Sequence, residues 1–381
     1  MKTTTISYPS RDGRSTVHAR LWRPDDPIAP CRGLVQLVHG MAEHVDRYEP
    51  FARFLTDHGF SVCANDHVGH GRTAADPADL GHISLRHGED ILVEDVHELR
   101  RRASEIVAGG ALAASDAGAE DGPERGAVPA SPVAPAAGSP KRDALSTSGT
   151  ALIPNASPSA DAAPHAQGPA RPDSALTKVP YIIFGHSMGS YITRVYLTRH
   201  AFGVRASVIC GTGQEPWAKT AAGMALTRLI AAVAGERHVS ALVHALGPGG
   251  YARQMGAGAG ENDWIAGDPQ VVRAFEADPL SGQRFTVGGY HTLSRLVADA
   301  RDPRRAAEIP KGLPMLFIAG DEDLVGRRGA GVVEAAAEYR RAGVEIVDER
   351  LYHGYRHEIL NEPVGGRVMT DVLTWLEARG L

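Results

Sequence analysis

The stretch YIIFGHSMG, residues 181–189, is the part of the chain that decides its fold. Its first four residues are apolar, as in a buried strand, and residues 190–200 carry apolar side chains at helical spacing. A G-x-S-x-G motif between a strand and a helix is the context of a nucleophile elbow. Its glycines permit the strained turn that lifts the hydroxyl of Ser187 above the sheet. We therefore expect Ser187 to be a nucleophile; the simpler alternative is a glycine-rich turn that only ends a strand.

Strands and helices alternate on both sides of this motif. The first 24 residues show the alternation of a hairpin around the turn Asp12-Gly13. Further strands are predicted over residues 34–38, 60–64, 204–209, 315–319 and 344–347, and helices over 48–58, 90–107, 331–342 and 364–378. This alternation predicts an α/β protein with a mostly parallel sheet that helices cover on both faces.

Two segments interrupt the alternation. Residues 109–178 are rich in Ala, Pro, Ser, Gly and Asp, and we predict a disordered insertion because such a segment buries too little apolar surface to offset its ordering entropy. An alanine-rich helical subdomain is the alternative, and the many prolines argue against it. Residues 212–302 lack strand signals and carry helical patterns, which predict a helical cap. The core then consists of residues 1–108, 179–211 and 303–381.

Composition excludes several classes of partner. The chain has 381 residues, is 43% hydrophobic and has a net charge of −5, so we expect no nucleic-acid partner and at most peripheral membrane contact. Its three cysteines, Cys31, Cys63 and Cys210, are far apart, which is typical of free thiols in a reducing compartment. The first ten residues have no apolar core of signal-peptide length. We expect a soluble, cytoplasmic protein.

A serine nucleophile needs a histidine base that a carboxylate orients. After a nucleophile elbow the acid comes next in the chain and the histidine comes last. The predicted strand 315–319 ends in Gly320-Asp321-Glu322-Asp323, so Asp321 and Asp323 are candidates for the acid. The loop after the last strand contains His353 and His357, and both are candidates for the base.

An oxyanion hole requires two backbone N–H groups that point at the developing charge. One is expected from Met188, the residue after the nucleophile. The other is expected from Met41 in the loop HGMAEH, residues 39–44, where Gly40 allows the backbone to approach closely.

A metal site is a further possibility, since His67-x-x-His70 could bind zinc with Asp66 and with His39 or His44. A tight glycine-containing turn after a strand is the simpler interpretation of residues 66–71. We predict that the protein uses neither a metal nor an organic cofactor.

Five motifs together resemble those of the α/β-hydrolases in the monoacylglycerol lipase and lysophospholipase group, whose family is described as serine aminopeptidase S33. They are HGMAEH with Arg47-Tyr48 after it, DHVGHG (66–71), GHSMG (185–189), the turn that ends at Asp323, and RHEILNE (356–362). The resemblance covers about 300 residues, everything except 109–178. It implies an α/β-hydrolase fold, with Ser187 as nucleophile, Asp323 as acid, His357 as base, and Met41 and Met188 as oxyanion donors.

The resemblance further implies a hydrolase that cleaves carboxylic esters through an acyl-enzyme, with a small-molecule lipid such as a monoacylglycerol or a lysophospholipid as substrate. We expect some of the apolar residues Met224, Leu226, Leu229 and Ile230 in the cap to line an acyl pocket, with Leu229 and Ile230 favoured; the simpler alternative is that they only pack the cap onto the core. Two alternatives remain. An aminopeptidase would need cap carboxylates for a free amine, and Glu261, Asp263 and Glu276 are the candidates. A non-catalytic small-molecule receptor would be free to lose the triad, whose three members are all present in order.

Overall fold

The structure is a computed structural model that describes residues 1–25, 31–109, 176 and 178–381. Within these residues, eight strands form one sheet in the order β1-β2-β4-β3-β5-β6-β7-β8. The strands are β1 Lys2–Pro9, β2 Thr16–Arg23, β3 Gly33–Val38, β4 Phe60–Asn65, β5 Tyr181–His186, β6 Val204–Cys210, β7 Met315–Gly320 and β8 Val347–Tyr352. Strands β1 and β2 form the predicted hairpin, β2 also pairs antiparallel with β4, and all other pairs are parallel.

Helices cover both faces of this sheet. They are α1 Glu49–Asp57, α2 Gly88–Val107, α3 Met188–His200, α4 Trp217–Ala234, α5 Ala241–Leu246, α6 Pro248–Gln254, α7 Pro269–Ala277, α8 Val287–Ala300, α9 Pro303–Ala306, α10 Ala330–Arg341 and α11 Gly365–Glu377. Helices α2, α3 and α10 contribute to one hydrophobic cluster, and α1 and α11 contribute to the other. Every residue of β3, β4, β5 and β7 is buried, as expected for parallel strands between two helical layers. The predicted mostly parallel α/β sheet is confirmed.

The last strand lies further along the chain than its apolar pattern predicts. We expected residues 344–347, whereas β8 spans Val347–Tyr352 and contains Asp348, Glu349 and Arg350. Because β8 is an edge strand that pairs only with β7, charged side chains can face solvent there, and such charges discourage pairing with other chains.

The chain between β6 and β7 contains the helices α4 to α9, and we call residues 212–302, with α4 to α8, the cap. Four of them were predicted. Helix α6 was missed, since it begins with Pro248-Gly249-Gly250, a sequence with weak helix propensity. The predicted insertion 109–178 lies almost entirely outside the described residues. Among the described helices, none is both long enough and apolar enough to cross a bilayer.

Candidate active site

Ser187 lies at the sharp turn between β5 and α3, at the carboxyl edge of the sheet. Its φ of 54° and ψ of −120° are strained for a residue with a side chain. The turn is held because the N–H of Ser187 donates to the carbonyl of Cys210 at 3.0 Å. A methyl group on Gly185 would collide with the carbonyl of Gly189, and one on Gly189 would collide with the carbonyl of Val38. Only glycine therefore fits on either side of this serine.

His357 and Asp323 form a buried pair next to the elbow. Nδ1 of His357 lies 2.9 Å from Oδ2 of Asp323, and the second carboxylate oxygen accepts the N–H of Val325 at 2.9 Å. The side chains are only 3% and 0% exposed. The other ring nitrogen of His357, Nε2, is buried and has no hydrogen-bond partner among the described residues. His357 and Ser187 both line one cavity.

The competing residues, Asp321 and His353, pair with each other instead. Nδ1 of His353 lies 2.7 Å from Oδ2 of Asp321, and the side chain of His353 is 98% exposed. Neither residue lines the cavity that contains Ser187. The sequence analysis favoured Asp323 and His357 and kept Asp321 and His353 as alternatives. Of the two histidines, only His357 lines that cavity.

The cavity has a volume of about 540 Å³ and lies between the core and the cap. Its walls from the core include Met41, Ser187, Met188 and His357. Its walls from the cap are largely apolar and include Leu226, Val243, Leu246, Trp264, Leu293 and Val297. A site of this size and lining suits an aliphatic ligand.

The two predicted oxyanion donors face this cavity together. Met41 and Met188 both line it, and in the described part of the chain neither N–H has a hydrogen-bond acceptor. The loop that carries Met41 touches the elbow, because a Cβ on Gly40 would lie 2.9 Å from Cβ of Ser187. Ala42, next along this loop, has a positive φ of 54°, so the loop keeps a strained conformation.

A buried charged network lies behind the elbow, and the sequence reasoning did not assign it. The Glu43 carboxylate accepts the N–H of Gly40 at 2.5 Å and the hydroxyl of Tyr48 at 2.8 Å, and it lies 3.2 Å from Nδ1 of His186. Burial alone would favour the neutral forms of both side chains. The hydrogen bond and the opposite charges of the two groups outweigh burial, so the pKa of His186 is raised and that of Glu43 is lowered. Each side chain of this pair therefore favours the charged form of the other.

Arg47 connects this network to the loop that carries His357. Its guanidinium donates to both carboxylate oxygens of Glu358, at 2.7 and 2.6 Å, and to Glu43 at 3.2 Å. The signal for this connection was present in HGMAEH with Arg47-Tyr48 and in RHEILNE, since both motifs carry charges beside the proposed catalytic residues.

The two predicted acyl-pocket residues lie outside the cavity lining. Leu229 is 65% exposed, and Ile230 packs against the hydrophobic core one helical turn beyond Leu226. Helix α4 instead lines the cavity with residues that precede them, including Ala222, Gly223 and Leu226.

Of the three carboxylates considered for an amine site, Glu261 alone lines the cavity. Its carboxylate already pairs with Arg284 at 2.8 Å and with His244 at 3.0 Å. Asp263 accepts the N–H of Gly260, and Glu276 accepts the side-chain amide of Asn262.

Three of the four histidines considered for a metal form a buried cluster, whereas His44 pairs with Asp278 at 2.6 Å. The ring of His39 lies 4.1 Å from that of His67 and 5.2 Å from that of His70, centroid to centroid. Burial lowers the pKa of all three. Across residues 1–25, 31–109 and 178–381, no group of three or more His, Cys, Asp or Glu side chains is arranged to hold a metal ion.

A strained serine elbow at the carboxyl edge of an eight-stranded, mostly parallel sheet, with a helical insertion above it, defines the α/β-hydrolase class. Within that class, the chain belongs to the family of hydrolases described as serine aminopeptidase, S33, which matches residues 29–133 and 165–364.

The relatives of the chain agree with this family. A monoacylglycerol lipase of Mycolicibacterium smegmatis is 26% identical over 358 residues, which cover 93% of this chain and 91% of that protein. The monoglyceride lipase of Homo sapiens is 35% identical over 78 residues, or 20% of each chain. Family and relatives together support an ester hydrolase.

Solved structures show the same fold. A thermostable carboxyl esterase from Bacillus coagulans, in complex with glycerol, superimposes with a TM-score of 0.75 at 23% identity over all of both chains. A soluble variant of the monoglyceride lipase of Saccharomyces cerevisiae superimposes with a TM-score of 0.64 at 14% identity, covering 99% of this chain and 94% of that one.

Proposed function

We propose that the protein is a serine esterase that hydrolyses esters of aliphatic carboxylic acids, with monoacylglycerols or lysophospholipids as the substrate class. One observation carries the proposal. His357 and Ser187 line one cavity, Asp323 holds Nδ1 of His357, and Nε2 of His357 is buried without a hydrogen-bond partner among the described residues. This is the arrangement that a serine hydroxyl needs in order to become a nucleophile.

The reaction proceeds in two halves. Nε2 of His357 takes the proton of the Ser187 hydroxyl while Oγ forms a bond to the ester carbonyl carbon. The negative oxygen of the tetrahedral intermediate binds the N–H groups of Met41 and Met188. The C–O bond to the alcohol then breaks, and the imidazolium gives its proton to that alcohol. Water repeats the cycle on the acyl-enzyme, releases the acid and restores Ser187.

The substrate class is supported by the apolar cap walls and by the similarity to the monoacylglycerol lipase of Mycolicibacterium smegmatis. We assign residues 212–302 the role of a cap that selects the acyl chain, with Leu226 in the position that was expected of Leu229 and Ile230. The aminopeptidase alternative has less support, because Arg284 already neutralises the one candidate carboxylate that lines the cavity.

A fluorophosphonate probe tests the mechanism. The wild-type protein should be labelled at Ser187, and Ser187→Ala should lose labelling and about 10⁶-fold in kcat. Ser104→Ala, at a buried serine on α2 outside the cavity lining, serves as the matched control and should keep both. Labelling of Ser187→Ala, or a tenth of the wild-type esterase rate in that variant, would contradict the mechanism.

A substrate panel tests the class. We expect turnover of p-nitrophenyl and monoacylglycerol esters, and no comparable turnover of aminoacyl-nitroanilides. Faster cleavage of the anilides would favour the aminopeptidase, and an unlabelled protein without turnover would favour a receptor.

A further inference from the structure

We propose that His39 is a positioning residue of the esterase: through the carbonyl of Gly40, its neutral ring orients the peptide whose N–H, that of Met41, binds the oxyanion. The proposal rests on the proposed function. His39 does not line the cavity, so its effect on the reaction must pass through the loop backbone.

The hydrogen bonds of His39 fix which of its nitrogens carries the proton. The backbone N–H of His67 donates to Nε2 of His39 at 3.0 Å. An amide N–H can only donate, so Nε2 must offer its lone pair and the proton of the neutral ring must be on Nδ1. Nδ1 lies 2.8 Å from the carbonyl oxygen of Gly40 and therefore donates to it. Burial, together with the neighbouring His70, lowers the pKa of His39 to about 3, so this neutral form persists at ordinary pH.

The bond to Gly40 also sets the direction of the next N–H. The carbonyl of Gly40 and the N–H of Met41 belong to one planar trans peptide, in which C=O and N–H point in opposite directions. The carbonyl points to His39, whose ring lies in the cluster with His67 and His70, outside the cavity lining. The N–H of Met41 consequently points away from that cluster, on the side where Met41 meets the cavity.

The preceding peptide of the loop is held as well. Its N–H, that of Gly40, donates to Oε1 of Glu43 at 2.5 Å. Gly40 is thus fixed by hydrogen bonds on both sides, beside Cβ of Ser187. An oxyanion donor that is fixed before the reaction needs no reorganisation when charge develops, and such preorganisation is a large part of the stabilisation of the transition state.

Two near-isosteric variants separate the two hydrogen bonds of His39. The amide nitrogen of Asn can occupy the position of Nδ1, so His39→Asn keeps a donor for Gly40 but loses the acceptor for His67. The amide group of Gln reaches the position of Nε2, so His39→Gln keeps an acceptor for His67 but loses the donor for Gly40. The variants are similar in polarity and therefore serve as controls for each other.

We expect His39→Gln to lower kcat on p-nitrophenyl butyrate by about 10- to 100-fold with little change in KM, since loss of a whole oxyanion donor costs about 10²–10³ in another serine hydrolase. His39→Asn should stay within about threefold of the wild type. A trifluoromethyl ketone, which forms a hemiketal oxyanion on Ser187, should lose affinity for His39→Gln in proportion to kcat. Equal losses in both folded variants, a loss confined to KM, or unchanged inhibitor affinity would each overturn the proposal.

A measurement on the wild-type protein covers the case in which a variant fails to fold. Nitrogen-15 NMR should find the His39 proton on Nδ1 between pH 5 and 8, and a proton on Nε2 would overturn the proposal. Failure of the proposed function looks different: the wild type would then neither react with fluorophosphonate nor cleave esters, whatever the tautomer of His39.

Discussion

Replacement of Asp323 by Asn tests the acid of the proposed triad, and the structure determines which way the new amide must face. The N–H of Val325 donates to Oδ1 of Asp323, so the amide oxygen of the substituted side chain must take that position. The amide NH₂ then faces Nδ1 of His357. That nitrogen must become an acceptor, which moves the ring proton to Nε2. A protonated Nε2 cannot take the proton of Ser187.

Two effects determine the size of the loss. The carboxylate also stabilises the imidazolium that forms when His357 takes the proton, and opposite charges about 4 Å apart attract by about 4 kcal/mol at an effective dielectric constant of about 20. Each 1.36 kcal/mol is about tenfold in rate, so this effect alone costs about a thousandfold. The wrong tautomer adds to it. We expect kcat to fall by about 10³–10⁴, close to the loss of about 10⁴ on the same change in a serine protease.

The assay is steady-state hydrolysis of p-nitrophenyl butyrate, with Asp321→Asn as the matched control. Asp321 pairs with the exposed His353 outside the cavity, so its variant should stay within about threefold of the wild type. Thermal unfolding of both variants excludes misfolding. A tenth of the wild-type rate in Asp323→Asn, or a larger loss in Asp321→Asn, would refute the reasoning.

Two further predictions concern the cap and the acid sensitivity of the fold. Because Leu226 lines the cavity, Leu226→Trp should lower the ratio of kcat/KM for p-nitrophenyl octanoate to kcat/KM for p-nitrophenyl acetate by about tenfold. Val233→Trp, at an 85% exposed position, should leave this ratio unchanged. Equal losses on both esters in Leu226→Trp would contradict the prediction. Burial, with His200 and Arg100 nearby, lowers the pKa of His97 to about 4. As pH falls from about 6.5 to 4 the unfolded state takes up a proton there and the native state does not, so the free energy of unfolding falls by at most about 1.4 kcal/mol per pH unit from this residue. His97→Gln should flatten the dependence measured by urea titration, and an unchanged dependence would contradict this assignment.

The sequence predicted the features that depend on local pattern. Apolar runs beside glycine-containing turns located the parallel strands and the elbow, since buried parallel strands are apolar throughout. The edge strand β8 was misplaced because its charged residues do not resemble a buried strand. Helix α4 carries apolar residues on almost every side, so its pattern does not tell which face meets the cavity. Leu229 and Ile230 were therefore favoured, although of the four apolar candidates on this helix only Leu226 lines the cavity.

What the pattern could not predict is how the cap is joined to the loop of His357. The carbonyl of Ile265 accepts the backbone N–H groups of both His357 and Glu358, at 2.9 and 2.8 Å. The guanidinium of Arg356 donates to the carbonyls of Asp263 and Ala266, at 2.6 and 2.9 Å. These bonds join residues about 90 positions apart in the chain, and backbone carbonyls carry no sequence signal. Because the same cap segment lines the cavity through Trp264 and Ile265, a displacement of the cavity wall there also acts on the backbone of His357.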